Sequence, residues 1–215
     1  MKTRNKIMLL ALCMVALIAV SVLGTMAYLT STSEVTNTFT VGNVNIKLDE
    51  AKVDINGKPV TPAERVTGEK DKTTNEYKLM PGHSYIKDPT VHVTDGSENC
   101  YIFVKVENGI SAFEAANEES TDGYKTIATQ IITNGWTKLA DNVYYRSYTN
   151  GENAQKSFTV FSNFKIADNA NNAEATKTSW NAVTAENTKI TVTAYAIQAD
   201  GFANADAAWA AANFN

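Results

Sequence analysis

Two histidines, His83 and His92, and two cysteines, Cys13 and Cys100, carry most of the reactive chemistry available to this chain. Zinc-dependent hydrolysis needs two or three nitrogen or carboxylate ligands and a base that activates water, compactly supplied by His-Glu-x-x-His on one helix. His83 and His92 stand nine residues apart, and neither has a Glu at that spacing. They remain candidate metal ligands only if the fold brings them together with carboxylates; otherwise they are two histidines without a metal. No Gly-x-Ser-x-Gly turn is present to raise a serine nucleophile. Cys100 falls in the apolar phase of an alternating run, which reads as a buried small hydrophobe rather than a reactive thiol. Glu118, Glu119 and Asp122 lack the ligand spacing of a calcium loop and read as a solvated stretch. Trp136, Trp180 and Trp209, with Tyr144, Tyr145 and Tyr148, would suit a sugar-stacking platform, but their spacing fits core and rim positions better. No catalytic set and no cofactor are expected.

The elements around these residues follow from a period of two. Thr, Val, Tyr and Phe fill alternating runs, and Asn, Gly and Asp separate them, which is the pattern of an antiparallel β-protein. Apolar positions are odd from Leu29 through Val35, Phe39 and Val41, then even at Val44, Ile46 and Leu48, so Gly42-Asn43 predicts a bulge in a long N-terminal strand. Asn56-Gly57 predicts a type I′ hairpin turn between Val53-Asp54-Ile55 and Lys58-Pro59-Val60, and the stretch from Thr61 to Asn75 reads as a loop. Further strands are expected at Thr90 to Thr94, Cys100 to Glu107, Trp136 to Leu139, Val143 to Tyr148, Ser157 to Phe161 and Lys189 to Gln198. In Cys100 to Glu107 both faces are apolar at the start, which marks a central strand emerging toward solvent at Lys105 and Glu107. Tyr124, Ile127, Ala128, Ile131 and Ile132 recur at helical spacing, with Asn134-Gly135 as a stop. Ala167 to Asn187 reads as a long surface loop, and Phe202, Ala205 and Trp209 line one face of an Ala-rich tail. The expected fold is mainly β: an antiparallel two-sheet sandwich of jelly-roll type with one or two short helices.

The first thirty residues set the compartment. Lys2, Arg4 and Lys6 precede an apolar run from Ile7 to Leu23, and Thr25 with Ala27 offers small residues at alternate positions, which predicts signal-peptidase cleavage between Ala27 and Tyr28. Cleavage after Gly24 and retention as a membrane anchor are the alternatives. The expected organisation is a signal peptide over 1–27 and a single domain over 28–215. Of the 19 basic and 23 acidic residues, cleavage removes three basic ones and leaves a net charge of −7. That balance excludes nucleic acid and anionic lipid as natural partners, since both reward clustered Lys and Arg. Cys100 alone survives, so the exported domain forms no internal disulfide. No membrane association is expected after cleavage.

Several segments together carry a family resemblance. They are Thr25-Met26-Ala27-Tyr28-Leu29-Thr30, Asn37-Thr38-Phe39-Thr40-Val41-Gly42-Asn43-Val44 and Ile46-Lys47-Leu48 near the start. Pro81-Gly82, Lys87-Asp88-Pro89, the strand from Cys100 to Val106 and Ala194-Tyr195-Ala196-Ile197-Gln198 follow. The start resembles signal peptides processed by a SipW-type signal peptidase, and the remainder resembles the TasA/camelysin family of Gram-positive exported proteins. The resemblance implies a jelly-roll subunit of extracellular biofilm-matrix fibres that assembles by donor-strand exchange, or a surface metalloendopeptidase. The long Asn- and Ala-rich insertions depart from the best-known fibre subunit.

The residues themselves suggest how assembly would work. While the leader is attached, the segment that begins at Tyr28 is tethered by its front end to the membrane. Cleavage frees it, and Leu29, Val35, Phe39 and Val41 then offer an apolar edge for a strand added to an open sheet. In that reading Tyr28 to Val35 acts in a second copy while Phe39 to Leu48 stays in its own domain. The alternative is a strand that folds back on its own domain, leaving a monomeric cell-surface binding module.

Overall fold

A computed structural model describes residues 43–67, 75–115, 124–168, 184, 188–212 and 214. Within them the chain forms ten strands and two helices in the order β1 (Ile46–Ala51), β2 (Arg65–Thr67), β3 (Ser84–Ile86), β4 (Thr90–Val93), β5 (Cys100–Asn108), α1 (Ile127–Thr133), β6 (Thr137–Ala140), β7 (Val143–Tyr148), β8 (Ser157–Thr159), β9 (Asn163–Lys165), β10 (Ile190–Gln198) and α2 (Ala205–Ala212). Two four-stranded antiparallel sheets, β2-β1-β4-β8 and β10-β5-β7-β6, face each other, and β3 pairs with β9 beside them. The mainly β, two-sheet expectation therefore holds, with two helices. No helix among the described residues is long and apolar enough to cross a membrane.

Strand β5 organises the interior. Cys100, Ile102, Val104 and Val106 enter the core between the sheets and meet Val91, Val93 and Phe158 from the facing sheet. Phe103 on the opposite face is also fully buried, because α2 closes over it. There Phe103 meets Trp209 at a ring-centroid distance of 5.1 Å, and Tyr195 meets Trp209 edge-on at 5.8 Å. Phe202, Ala205 and Trp209 share this cluster, as the spacing of the tail predicts. Aromatic pairs at such separations add to what area burial alone supplies.

Helix α1 has its ends fastened by neighbours. The Thr126 hydroxyl accepts from the Thr129 amide at 3.3 Å, and Glu114 Oε1 accepts from the Ile127 amide at 2.5 Å. Gly135, at φ +84°, ends the helix, and Arg146 Nη1 donates to the Asn134 carbonyl at 2.8 Å. The buried face differs from the periodicity. Ile127 and Ile131 are buried, but Ala128 and Ile132 are exposed, and Gln130 takes the inward position. Its amide is fully used: Nε2 donates to the carbonyls of Lys125 and Asn163, and Oε1 accepts from the Ser162 amide.

Other corrections are local. Arg65–Thr67 forms β2 inside the stretch expected to be a loop, because Arg65 is anchored to Asp49 at 2.6 Å and to Asp88 at 2.9 Å. The Asn56-Gly57 turn is not type I′, which would need positive φ at both residues; only Gly57 has it, at +74°. Gly57 instead follows a turn closed by its amide donating to the Asp54 carbonyl, and Asp54 Oδ1 accepts from the Asn56 and Lys58 amides. Val53 and Pro59 make a single bridge rather than paired strands. Strands β3 and β9 were not expected from the alternation. The Gly42-Asn43 bulge, most of the Ala167 to Asn187 stretch, Trp180 and the acidic group at 118–122 involve or lie in residues outside those described.

A Cβ on Gly57 would fall 2.8 Å from Tyr85 Cα and Cβ, whereas Gly201, at φ +92°, has open space around it. Gly57→Ala is expected to cost about 3 kcal/mol in urea unfolding, from left-handed strain and overlap together, and Gly201→Ala about 1 kcal/mol from strain alone. Burial raises the Glu114 carboxyl above the ordinary carboxylate range, against the lowering effect of the Ile127 and Asn108 hydrogen bonds. The native state therefore holds that proton more tightly than the unfolded chain, and this group's contribution to stability falls as pH rises from the ordinary carboxylate value through the raised one. Replacing it by Gln is expected to flatten that part of a thermal-midpoint against pH profile.

Candidate functional site

The described strands leave four sheet edges in the sandwich, and three of them are short. β2 and β8 have three residues each, and β6 has four, with Lys138 on it and a register shift between Lys138 and Ala140. These are ordinary ways of discouraging another strand from adding. The fourth edge, β10, is nine residues long, Ile-Thr-Val-Thr-Ala-Tyr-Ala-Ile-Gln, with no charged side chain. It pairs with β5 along its whole length and has no strand on its other side among the described residues.

Hydrogen bonding shows which groups are on offer. The Gly109 amide donates to the Lys189 carbonyl, and the Ala199 amide donates to the Asn99 carbonyl, both at the ends of the β10–β5 ladder. In an antiparallel ladder bonded and non-bonded pairs alternate, so Thr191, Thr193, Tyr195 and Ile197 turn their main-chain groups to β5. Ile190, Val192, Ala194 and Ala196 turn theirs to the free edge. The same four side chains belong to the central core or pack against it. A strand laid along this edge would gain main-chain hydrogen bonds on one side and apolar contact beneath it.

Beside the edge runs a groove of about 740 Å³, bounded by Ile190–Val192 of β10 on one side and by Leu48, Glu50 and Val66 of β1 and β2 on the other. Phe164 and Tyr77 contribute aromatic surface, packed edge to face at 5.3 Å. One wall is polar. Lys87 Nζ donates to Glu50 Oε2 at 2.5 Å, with side-chain exposures of 10% and 14%, and Asn75 Nδ2 donates to Glu50 Oε1 at 2.8 Å. Burial, reinforced by the nearby Glu50 carboxylate, pushes the Tyr77 phenol well above its ordinary value, so it stays neutral and donates to the Ile86 carbonyl. The groove is thus largely apolar, with Glu50, Lys87 and Asn75 forming a polar wall in which both Glu50 oxygens are engaged, and its shape suits an extended peptide.

The two histidines are placed apart in role. His83 is exposed at the turn before β3. His92 sits on β4 with both ring nitrogens engaged, Nε2 to Asp49 Oδ1 at 3.0 Å and Nδ1 to Ser157 Oγ at 2.9 Å. Among the described residues no three His, Cys, Asp or Glu side chains group as metal ligands. Trp136 is buried and donates through Nε1 to the Thr159 carbonyl, and Trp209 projects from α2 onto Phe103 and Tyr195, so both serve packing. Ala27, Tyr28, Leu29, Val35, Phe39 and Val41, expected at the cleavage point and in the donated strand, lie outside the described residues. Sequence reasoning passed over Glu50, Lys87 and Asn75, which are far apart in the chain. The available signal was the uncharged nine-residue run of β10.

Cys100 is fully buried, and burial pushes its thiol up to about 12. At pH 8 it is expected to resist iodoacetamide in the folded chain and to react within minutes once urea unfolds it, read by mass spectrometry. Compared with known proteins, the chain matches no family model, no curated protein and no solved structure.

Proposed function

We propose that this protein is a secreted structural subunit of an extracellular or biofilm-matrix fibre of a Gram-positive bacterium, joined to its neighbours by strand donation. The observation that carries this reading is the long, uncharged free edge of β10 beside an apolar groove, since open edges of that length are otherwise an aggregation hazard. In this reading the segment from Tyr28 to Val35, freed by a SipW-type signal peptidase acting between Ala27 and Tyr28, lies along β10 of the next copy. The jelly-roll form of the sandwich, the TasA/camelysin relationship and the extracellular location rest on the sequence resemblance. Engagement of both His92 nitrogens by Asp49 and Ser157 supports a structural part for that histidine rather than a metal-binding one.

The test compares chains beginning at Tyr28 and at Asn37. The longer chain is expected to elongate in electron micrographs and light scattering, and the shorter one to stay monomeric. Val192→Pro removes an amide that faces the free edge and leaves the β5 ladder intact, so it is expected to fold, by near-ultraviolet circular dichroism, and to stop elongation. If the chain from Tyr28 stays monomeric, or folded Val192→Pro elongates at the parent rate, the reading is wrong.

A further inference from the structure

We infer that the groove selects the strand it accepts, and fixes its register, through the polar wall formed by Glu50, Lys87 and Asn75, which pairs with serine hydroxyls on the incoming strand; this rests on the strand-acceptor reading above. The occupant is residues 28–37 of a second copy. Two observations lead there. Glu50 is satisfied within the wall, one carboxylate oxygen by Lys87 and the other by Asn75. Lys87 is not: its ammonium has three N–H donors, it is nine-tenths buried, and Glu50 is its one side-chain partner among the described residues.

An occupant that covers this wall with apolar groups would strip water from the ammonium and supply nothing in return, which is the costly way to bury a charge. An occupant with small oxygen acceptors at the same place completes the set. Laid down as a strand, the N-terminal segment would present Ser31 and Ser33 on the same face as Leu29 and Val35, so apolar side chains would flank two hydroxyls. Leu29 and Val35 suit the apolar stretch around Leu48, Ile190 and Val192; Ser31 and Ser33 suit the wall. Sliding the strand by two residues would put Leu29 or Val35 against the buried pair. A buried polar group that penalises wrong alignments in this way is the best attested use of such pairs.

The experiment measures inhibition of elongation of the mature chain by synthetic peptides of residues 28–37. A purely apolar groove would prefer a peptide carrying Ser31→Val and Ser33→Val, since valine is both more apolar and a better strand former. The polar wall predicts the opposite sign, with the double-valine peptide at least about tenfold weaker than the natural one. On the double variant Lys87→Met, Glu50→Leu, the natural peptide is expected to lose its advantage. If the valine peptide inhibits the parent chain as well as or better than the natural one, the selection inference is overturned while strand donation stands. If neither peptide inhibits a chain that elongates, strand donation into this groove fails as well.

Discussion

The structure depends on one strand being buried on both faces along its first half. β5 gives Cys100, Ile102, Val104 and Val106 to the core between the sheets and Phe103 to the cluster under α2, all with almost no exposure. Where it is enclosed its main chain has no water, so both edges there must be paired. β7 takes one edge from Cys100 to Lys105, and β10 takes the other, matching β5 residue for residue from Ile190↔Asn108 to Gln198↔Cys100. The position of β10 is therefore set by what β5 needs, and its first residues continue beside Val106 to Asn108, where Glu107 is exposed. The facing sheet and α2 cover the two faces of the enclosed part.

The outer side of the facing sheet is held differently, by residue types usually associated with catalysis. Asp49 Oδ1 meets Arg65 Nε at 2.6 Å and His92 Nε2 at 3.0 Å, and His92 Nδ1 meets Ser157 Oγ. These four residues stand on β1, β2, β4 and β8, so the network runs across every strand of that sheet. Arg65 also reaches Asp88, whose other oxygen accepts from the Ala51 amide at 2.6 Å. An acid, a histidine and a serine in hydrogen-bonded sequence here serve as cross-strand ties, and geometry on the sheet face, not residue type, decides that role.

How much of this was legible depended on how local the cause is. β5, β7 and the C-terminal helix follow from alternation or helical spacing within a few residues, and the structure places them with shifts of a residue or so. β2 has one apolar residue in three, and it is a strand because Arg65 finds Asp49 and Asp88 in space. β3 and β9 are three residues each, and their worth lies in Tyr85 stacking on Phe164 at 5.0 Å, a pairing that no local period reports. Ile132 fits the helical stripe but is half exposed, because Gln130 spends its amide on backbone groups of β9 and its approach and turns that side inward. The groove was the least legible part, being assembled from β1, β2, β10 and the Lys87 segment.

The unequal protection of the edges is the point at which fold and proposed function meet. β2, β6 and β8 are shortened, charged or interrupted, whereas β10 runs beside all nine residues of β5. A charge on its inward side chains would enter the core, because Ile190, Val192, Ala194 and Ala196 face it. One way to manage such an edge is to supply it with a strand. Under the proposed reading that strand is withheld while the leader ties its front end to the membrane, and becomes free only after cleavage outside the cell. In that reading the edge that would be a liability during synthesis becomes the joint between subunits, and the charged wall of the groove limits which strand occupies it.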